Sequence, residues 1–261
     1  MSFFSVVTIC YNNIDELKKT CQSVDRQSLL PYEHIIVNGS TSSKIKDWLM
    51  SFPQPAFRKW INEPDKGIAD AFNKGIEAVE KNTMIQFLNS GDTYANDNVL
   101  RNIAIITDSN EDIQWVSGKV TLFRGNKWVT IGKPFEKEKL YRGMRSISHQ
   151  TIFIKKAVYD HVGGYNRNYK IAMDYDLLCR ITDKKYQFLD FPIAVYDTTG
   201  ISSTQYLNGL KESRKIYESY YGFSLFLILW HLRLKLLYVL MQSPFGEFLY
   251  SIKTKLKLEN I

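Results

Sequence analysis

An α/β fold, built on a mostly parallel, Rossmann-like sheet flanked by helices with a smaller mixed half beside it, is what this sequence predicts. Three observations predict it. Two strand–helix units follow one another at the N-terminus, and Met84-Ile85-Gln86-Phe87-Leu88-Asn89-Ser90-Gly91-Asp92 reads as a buried strand that breaks off in small and polar residues. After about residue 110 the pattern changes to antiparallel pairing. With 261 residues, 44% hydrophobic and 23% charged, the chain has the composition of an ordinary globular protein with ample material for a core. The expected organisation is a domain over 1–205, with halves 1–110 and 111–205, and a helical tail over 206–261.

Phe3 to Ile9 is an apolar, β-branched run that Asn12-Asn13 ends, and Ile14, Leu17, Cys21 and Val24 then recur at helical spacing. Glu33 to Val37 is a second strand cut off by Asn38-Gly39-Ser40-Thr41, followed by a helix over Ile45 to Met50. Lys59 to Asn62 forms a third strand, and Pro64 keeps the next loop out of helix. Beyond Gly67, Ile68, Phe72, Ile76 and Val79 mark a buried helical stripe, while Asp70, Asn73 and Lys74 share another face near the helix start. That face suits either an anionic ligand at the free N–H groups or a solvated ion pair. Val99 to Ile106 is helical, Gln114 to Leu122 and Lys127 to Ile131 form a hairpin around Arg124-Gly125-Asn126, and Thr151 to Ile154 is a strand preceded by His149-Gln150. Gly163-Gly164-Tyr165 is a turn, and Asp174-Tyr175-Asp176 opens a helix, where by themselves Asp174 reads as an N-cap and Asp176 as a first-turn acid sooner than as catalysts. Gly200-Ile201-Ser202-Ser203 closes this half as a loop.

A net charge of +7 favours anionic partners, among them phosphorylated ligands and membrane lipid, but no nucleic-acid-binding motif accompanies it. Cys10, Cys21 and Cys179 are too few and too scattered for a disulfide framework or a zinc site, which suits a reducing cytosol. No secretory signal is readable before Phe3. In the tail, Phe223 to Trp230 is apolar, His231, Arg233 and Lys235 follow among leucines, and Lys253, Lys255 and Lys257 lie near the end. Such a segment either lies in a membrane interface or docks on the protein's own core.

The chemistry centres on the strand end. Asp92 is a carboxylate on a turn beyond a rigid strand, suited to Mg²⁺ or Mn²⁺ carrying phosphate oxygens, although Asn-Ser-Gly-Asp is also good turn chemistry. A dinucleotide-binding reading lacks its G-x-G-x-x-G turn after the first strand.

Five stretches occur in order over residues 3 to 203: Ser5-Val6-Val7-Thr8-Ile9-Cys10-Tyr11-Asn12-Asn13; Glu63-Pro64-Asp65-Lys66-Gly67-Ile68-Ala69-Asp70-Ala71-Phe72-Asn73-Lys74-Gly75; Phe87-Leu88-Asn89-Ser90-Gly91-Asp92; His149-Gln150; and Asp174-Tyr175-Asp176. Together they resemble the inverting family 2 glycosyltransferases of GT-A fold, especially the bacterial O-antigen and capsule branch. The resemblance implies a nucleotide-sugar donor, most simply a UDP-sugar, and a glycan or lipid-linked glycan acceptor, handled in the cytoplasm or at the inner face of the membrane. It implies that Thr8, Tyr11 and Asn38 line the nucleoside pocket, with Asp65, Asp70, Lys74 and Asn89 also on the donor side. Asp92 would hold Mn²⁺ or Mg²⁺, Asp174 would be the catalytic base, and His149, Gln150 and Asp176 would lie toward the acceptor. Two positions depart from the family pattern: Asn38 stands for an Asp, and the D-x-D motif reads Asn89-Ser90-Gly91-Asp92. They motivate the alternative of a non-catalytic, nucleotide-sugar-binding relative or scaffold. A sugar nucleotidyltransferase would need a Gly-rich phosphate loop after the first strand, and none is present.

Overall fold

A computed structural model describes residues 3–80, 82–124, 126–144, 147–196, 205–243 and 246. The expected loop at 200–203, Gly125 of the hairpin turn, and Lys253, Lys255 and Lys257 lie outside them.

The described strands form one nine-stranded sheet. Strands β1 (Phe4–Cys10), β2 (Glu33–Asn38), β3 (Arg58–Asn62) and β4 (Met84–Phe87) run parallel in the order β3-β2-β1-β4. Successive strands step away from β1 on one side and then return to its other side, so β1 and β4 meet at a switch point. In open α/β sheets the crevice beyond the strand ends at such a point is the place for a ligand. On the far side of β4, β8 (Phe153–Lys155) pairs antiparallel with β4 and with β6 (Trp115–Arg124), and β5 (Thr93–Tyr94) antiparallel with β9 (Tyr186–Tyr196). Strands β6 and β9 pair parallel, so the expected antiparallel pattern after residue 110 holds only in part. The hairpin strand β7 (Lys127–Ile131) pairs with β6. The sheet therefore runs without a break through both expected halves.

Helices α1 (Ile14–Asp25), α2 (Lys44–Ser51), α3 (Ile68–Ala78), α4 (Val99–Asp108), α5 (Lys156–Val162) and α6 (Met173–Arg180) cover it. They form for ordinary reasons: α1 buries Leu17, Cys21 and Val24 on one stripe and carries Asp15 and Glu16 in its first turn, where the helix dipole favours negative charge. Helix α3 is more deeply set. Besides Phe72 and Ile76 it buries Asp70 and Asn73, so the face expected to be either an anion site or a solvated ion pair is largely an internal one. It approaches β1 closely at Gly75, where a Cβ would stand 2.4 Å from the Val7 Cγ1. Below the strand ends Phe72 stacks on Phe87 with ring centroids 4.1 Å apart, and Tyr165 meets both rings edge-on at 4.9 and 5.4 Å. Pairs of this kind add about 0.5–1.5 kcal/mol each beyond their burial. This aromatic floor ties the parallel part of the sheet to the chain around residue 165.

Helices α7 (Tyr206–Tyr221) and α8 (Leu225–Gln242) follow. The expected tail divides between them. Helix α7 packs against α6, burying Leu210 and Ile216, whereas most large side chains of α8 are exposed. The three cysteines are free and buried, and burial pushes the Cys10 and Cys21 thiols up to about 12.

Candidate active site

The C-terminal ends of β1 to β4 deliver four loops to one edge of the sheet. After β1, Asn12 adopts a left-handed conformation, φ 57°, and fastens two loops together. Its backbone N–H donates to Ser40 Oγ, its amide donates to Thr41 Oγ1, and its Oδ1 accepts from the Ser42 N–H. Tyr11 is left 59% exposed at this edge, an uncovered phenol ring beside the strand ends. Asn38 is buried, donating to Asn62 Oδ1 at 2.9 Å and accepting from the Ser40 N–H at 3.1 Å. Its amide thus braces the β2 and β3 ends against each other instead of facing outward. Asp65, half-buried, caps its own loop by accepting from the Gly67 N–H at 2.9 Å.

Several residues expected to touch ligands are committed to the protein itself. Thr8 is fully buried inside the sheet: it accepts from the ring of His34 and donates to the Leu88 carbonyl at 2.7 Å, so it lines no nucleoside pocket. His34 in turn accepts from Arg58 Nε at 3.2 Å, and burial followed by the Arg58 charge holds its pKa well below the usual histidine value. Lys74 donates to the Pro64 carbonyl at 2.6 Å and pairs with Glu63 at 2.9 Å, which makes it a brace of the 63–67 loop and not an open phosphate ligand. Asp70 accepts from the Lys66 N–H and from Arg167 Nε; the backbone bond first, then Arg167 and Lys74, hold its carboxyl below the usual range. Gln150 is buried, its Oε1 accepting from Ser148 Oγ, so it offers nothing to an acceptor. Asp176 accepts from Arg180 at 2.9 Å and from the Tyr220 hydroxyl at 3.0 Å, an internal latch that removes it from the acceptor-side set.

What remains forms a chain across the edge. The strand-end peptide runs on past β4 along β1, with the Leu88 and Ser90 N–H groups on the Val7 and Ile9 carbonyls. Gly91, at φ 104°, a conformation that glycine adopts without strain, turns it onto α1. There Thr20 Oγ1 donates to the Asp92 carbonyl, and Asp92 is only 3% exposed. Asn89 points the other way, its Nδ2 lying 3.1 Å from His149 Nε2. His149 sits in the 3₁₀ turn His149–Thr151, and its Nδ1 is 3.5 Å from Asp174 Oδ2.

Asp174 is the second residue of α6, whose N-cap is Ala172, so it is not the helix cap. Its side chain is 16% exposed. It stands against an apolar wall that includes Phe87, Ile152, Ile154, Tyr165 and Leu177. This desolvation raises its pKa, and the neighbouring His149 opposes the rise. Asn89 Oδ1 and Asp174 Oδ1 are buried and have no hydrogen-bond partner. An unpaired buried polar atom costs about 1–3 kcal/mol, so the two that flank this imidazole are acceptors for which the protein supplies no donor.

A residue that sequence reasoning passed over shapes this corner. Glu212 of α7 accepts from three consecutive backbone N–H groups, Lys170, Ile171 and Ala172, at 2.9–3.1 Å, and so fixes the approach to α6. Nothing in Lys211-Glu212-Ser213-Arg214 distinguishes it from a solvated helix residue.

For a divalent cation, the strand end offers the Asp92 carboxylate and the Ser90 hydroxyl, both hard oxygen, while the Asn89 amide points to His149 and Asp92 is itself 3% exposed. No group of three or more His, Cys, Asp or Glu side chains suited to a metal occurs among the described residues. An ion carried mainly by a substrate's phosphates needs only one or two protein carboxylates, and Asp92 is the carboxylate the strand-end motif supplies.

The glycosyl transferase family 2 model matches residues 5–167. The chain belongs to this family. An uncharacterised glycosyltransferase of Mycobacterium tuberculosis is 29% identical over 216 residues, 76% of each chain. A glycosyltransferase of PGL/p-HBAD biosynthesis from the same species is 26% identical over 180 residues, 68% of each. Among solved structures, S. aureus TarS 1–349 in complex with UDP-GlcNAc superposes with a TM-score of 0.61 at 14% identity, over 84% of this chain and 67% of that one. The mannosyltransferase PcManGT from Pyrobaculum calidifontis, in complex with GDP-Man and Mn²⁺, gives 0.60 at 13% identity over 98% and 80%. The mixed α/β fold with its curled sheet is thus similar to the GT-A glycosyltransferase structures.

Proposed function

We propose that this chain is an inverting glycosyltransferase that moves a sugar from a nucleotide-sugar, most simply a UDP-sugar, to a hydroxyl of a glycan or lipid-linked glycan in surface polysaccharide assembly of the O-antigen or capsule kind. The observation that carries the reading is the Asn89–His149–Asp174 chain with its two unpartnered oxygens, at the sheet edge where the parallel strands end. Family membership supplies the class of reaction.

In this reading Asp174 accepts the proton of the acceptor hydroxyl as that oxygen bonds to C1 of the donor sugar. The C1–O bond to the diphosphate breaks, its electron pair leaves with the diphosphate, and attack from the opposite face inverts C1. A sugar hydroxyl becomes acidic only as the new bond forms, so a carboxylate with a moderately raised pKa suffices as base. Tyr11 and Asp65 stand at the strand ends where a nucleoside would lie. Mn²⁺ or Mg²⁺, held by Asp92, would supply positive charge to the leaving diphosphate. Asp70, Asn73 and Lys74 serve by fixing the 63–70 loop and the chain opposite it.

Hydrolysis and thermal-shift measurements over a set of UDP-, GDP- and dTDP-sugars, with and without Mn²⁺, test the reading. One sugar nucleotide is expected to raise the melting temperature and to be slowly hydrolysed, with a metal-dependent part that Asp92→Asn removes in a folded protein. A chain that binds a nucleotide-sugar but never turns it over would fit the non-catalytic relative, for which Asn38 and Asn89 are the motive; binding none would overturn both.

A further inference from the structure

Asn89 and Asp174 belong to different elements, the peptide beyond β4 and the first turn of α6, yet one imidazole touches both. An amide Nδ2 can only donate, so His149 Nε2, 3.1 Å from it, accepts, and the ring hydrogen of His149 resides on Nδ1. That atom faces Asp174 Oδ2 at 3.5 Å, a separation that a small carboxylate rotation shortens once a substrate is present. The oxygens the ring does not reach, Asn89 Oδ1 and Asp174 Oδ1, are the buried atoms left without partners.

The ring itself is held by rigid structure. The Ile152 N–H donates to the His149 carbonyl at 3.0 Å. The next carbonyl, of Gln150, accepts from Gln86 Nε2 at 2.6 Å, and the Tyr94 hydroxyl fixes the other end of Gln86 at 2.6 Å. Phe72 closes one side of the imidazole, with ring centroids 6.3 Å apart. The wall behind Asp174 includes Tyr159 and Tyr165, but their hydroxyls pair with each other and neither hydrogen-bonds the carboxylate, so the donor that faces Asp174 is His149 Nδ1.

We infer that His149 is a positioning residue: one imidazole orients both the Asn89 amide and the Asp174 carboxylate, turning a bare oxygen of each toward substrate hydroxyls. Asp174 Oδ1 then meets the acceptor hydroxyl, and Asn89 Oδ1 meets a hydroxyl on the donor side. This rests on the sugar-transfer reading for its substrates, while the arrangement of the ring is a property of the ligand-free protein. It also gives Asn89 a reason to be an amide. A carboxylate at that position would have no hydrogen to give Nε2, and the ring hydrogen would be drawn away from Asp174.

Two measurements test it on the full chain. Long-range ¹H–¹⁵N spectra of ¹⁵N-histidine-labelled protein without ligand, with His149 assigned by its loss in His149→Gln, should show the Nδ1–H tautomer. In hydrolysis of UDP-GlcNAc and GDP-mannose, His149→Ala should lower kcat about 10- to 100-fold and raise the donor KM by no more than about tenfold, with the affinity for UDP, which lacks the sugar hydroxyl that Asn89 meets, within about twofold. His149→Asn, whose amide can still donate toward Asp174, should recover part of that loss, and His149→Gln, whose longer amide reaches toward Asn89, should recover less. An Nε2–H tautomer, parental turnover in His149→Ala, or equal loss in the Ala and Asn variants would overturn the inference. A parental protein that hydrolyses neither nucleotide-sugar speaks against the transfer reading for those donors, and the spectra still decide the arrangement.

Discussion

Asp174 carries two opposed demands at the scale of a single side chain. The helix start favours its charge, whereas the apolar wall disfavours it, and its pKa is raised by burial despite the nearby His149. A folded-state pKa above the unfolded value of about 3.9 means that the folded protein binds this proton more readily than the unfolded chain. The ionised carboxylate therefore subtracts stability at neutral pH, and that loss is relieved as pH falls through the raised value. Asp174→Asn should consequently cost about 10²-fold or more in transfer while leaving the melting temperature at pH 7 equal or higher, with UDP affinity little changed. Stopped assays and thermal scans on the same preparation check it; a variant that loses both activity and several degrees of stability would mean the carboxylate is structural. The parental acid limb of kcat should accordingly lie above the ordinary aspartate range. Asp70 has the reverse sign. Its pKa is lowered, first by the Lys66 N–H, so its contribution is present above about pH 4 and is lost as pH falls through the folded value. Asp70→Asn should lower the melting temperature at pH 7, with a smaller deficit near pH 3.

At the scale of elements, α3 works as a clamp between the two parts of the sheet. Asn73 donates to the Tyr165 carbonyl at 2.8 Å and accepts from its N–H at 2.7 Å, and Arg167 reaches back to Asp70. Arg180, paired with Asp176, holds the Val162, Gly163 and Gly164 carbonyls from the opposite side. Asn73→Ala would leave both backbone groups of Tyr165 unpaired in a buried place, at about 2–4 kcal/mol by the cost of each orphaned group. Urea unfolding should show a midpoint shift with little change in slope; a loss below about 0.5 kcal/mol would mean that water replaces the amide. Here lies the limit of what the chain discloses by itself. Strands β1 to β4 and helices α1 to α4 were legible because periodicity of 2 or 3.6 is local. The partners of Asp70 and Asn73 were not, since i,i+3 and i,i+4 spacing is the same whether a face meets solvent or a segment some ninety residues away. Strand β9 was equally hidden: Asp190 and Pro192 interrupt its alternation where the β6–β9 register shifts around Lys119. Asn89, His149 and Asp174 each stand in a motif that carries the resemblance, but that one imidazole meets both Asn89 and Asp174 required the fold.

At the scale of the whole molecule, α7 belongs to the body that carries the candidate site, while α8 presents two unlike faces. Leu227, His231 and Leu234 are buried against the protein, and Trp230 packs near Tyr141 and Arg142 of the 3₁₀ helix Lys137–Arg142. Leu225, Leu229, Leu232, Leu236 and Val239, spaced 4, 3, 4 and 3, form an exposed stripe on the other side. At 100° per residue Arg233 and Lys235 fall roughly 80° to either side of that stripe. Among the described residues α8 is the one helix long and apolar enough to cross a membrane. Crossing would require its buried side to leave the protein, whereas lying in the plane of a bilayer uses both faces as they stand. An apolar stripe flanked by cations suits the headgroup boundary, each cation near an anionic surface adding about 1 kcal/mol. We therefore expect the full chain to float with vesicles containing anionic lipid and to stay behind with neutral ones. Leu229→Gln with Leu232→Gln should abolish flotation while UDP affinity and hydrolysis of a soluble donor remain at parental values, because neither residue touches the strand-end cleft. Flotation that survives the double substitution would place the contact elsewhere on this basic chain. A full-length protein that ignores both vesicle types would leave the stripe to a protein partner.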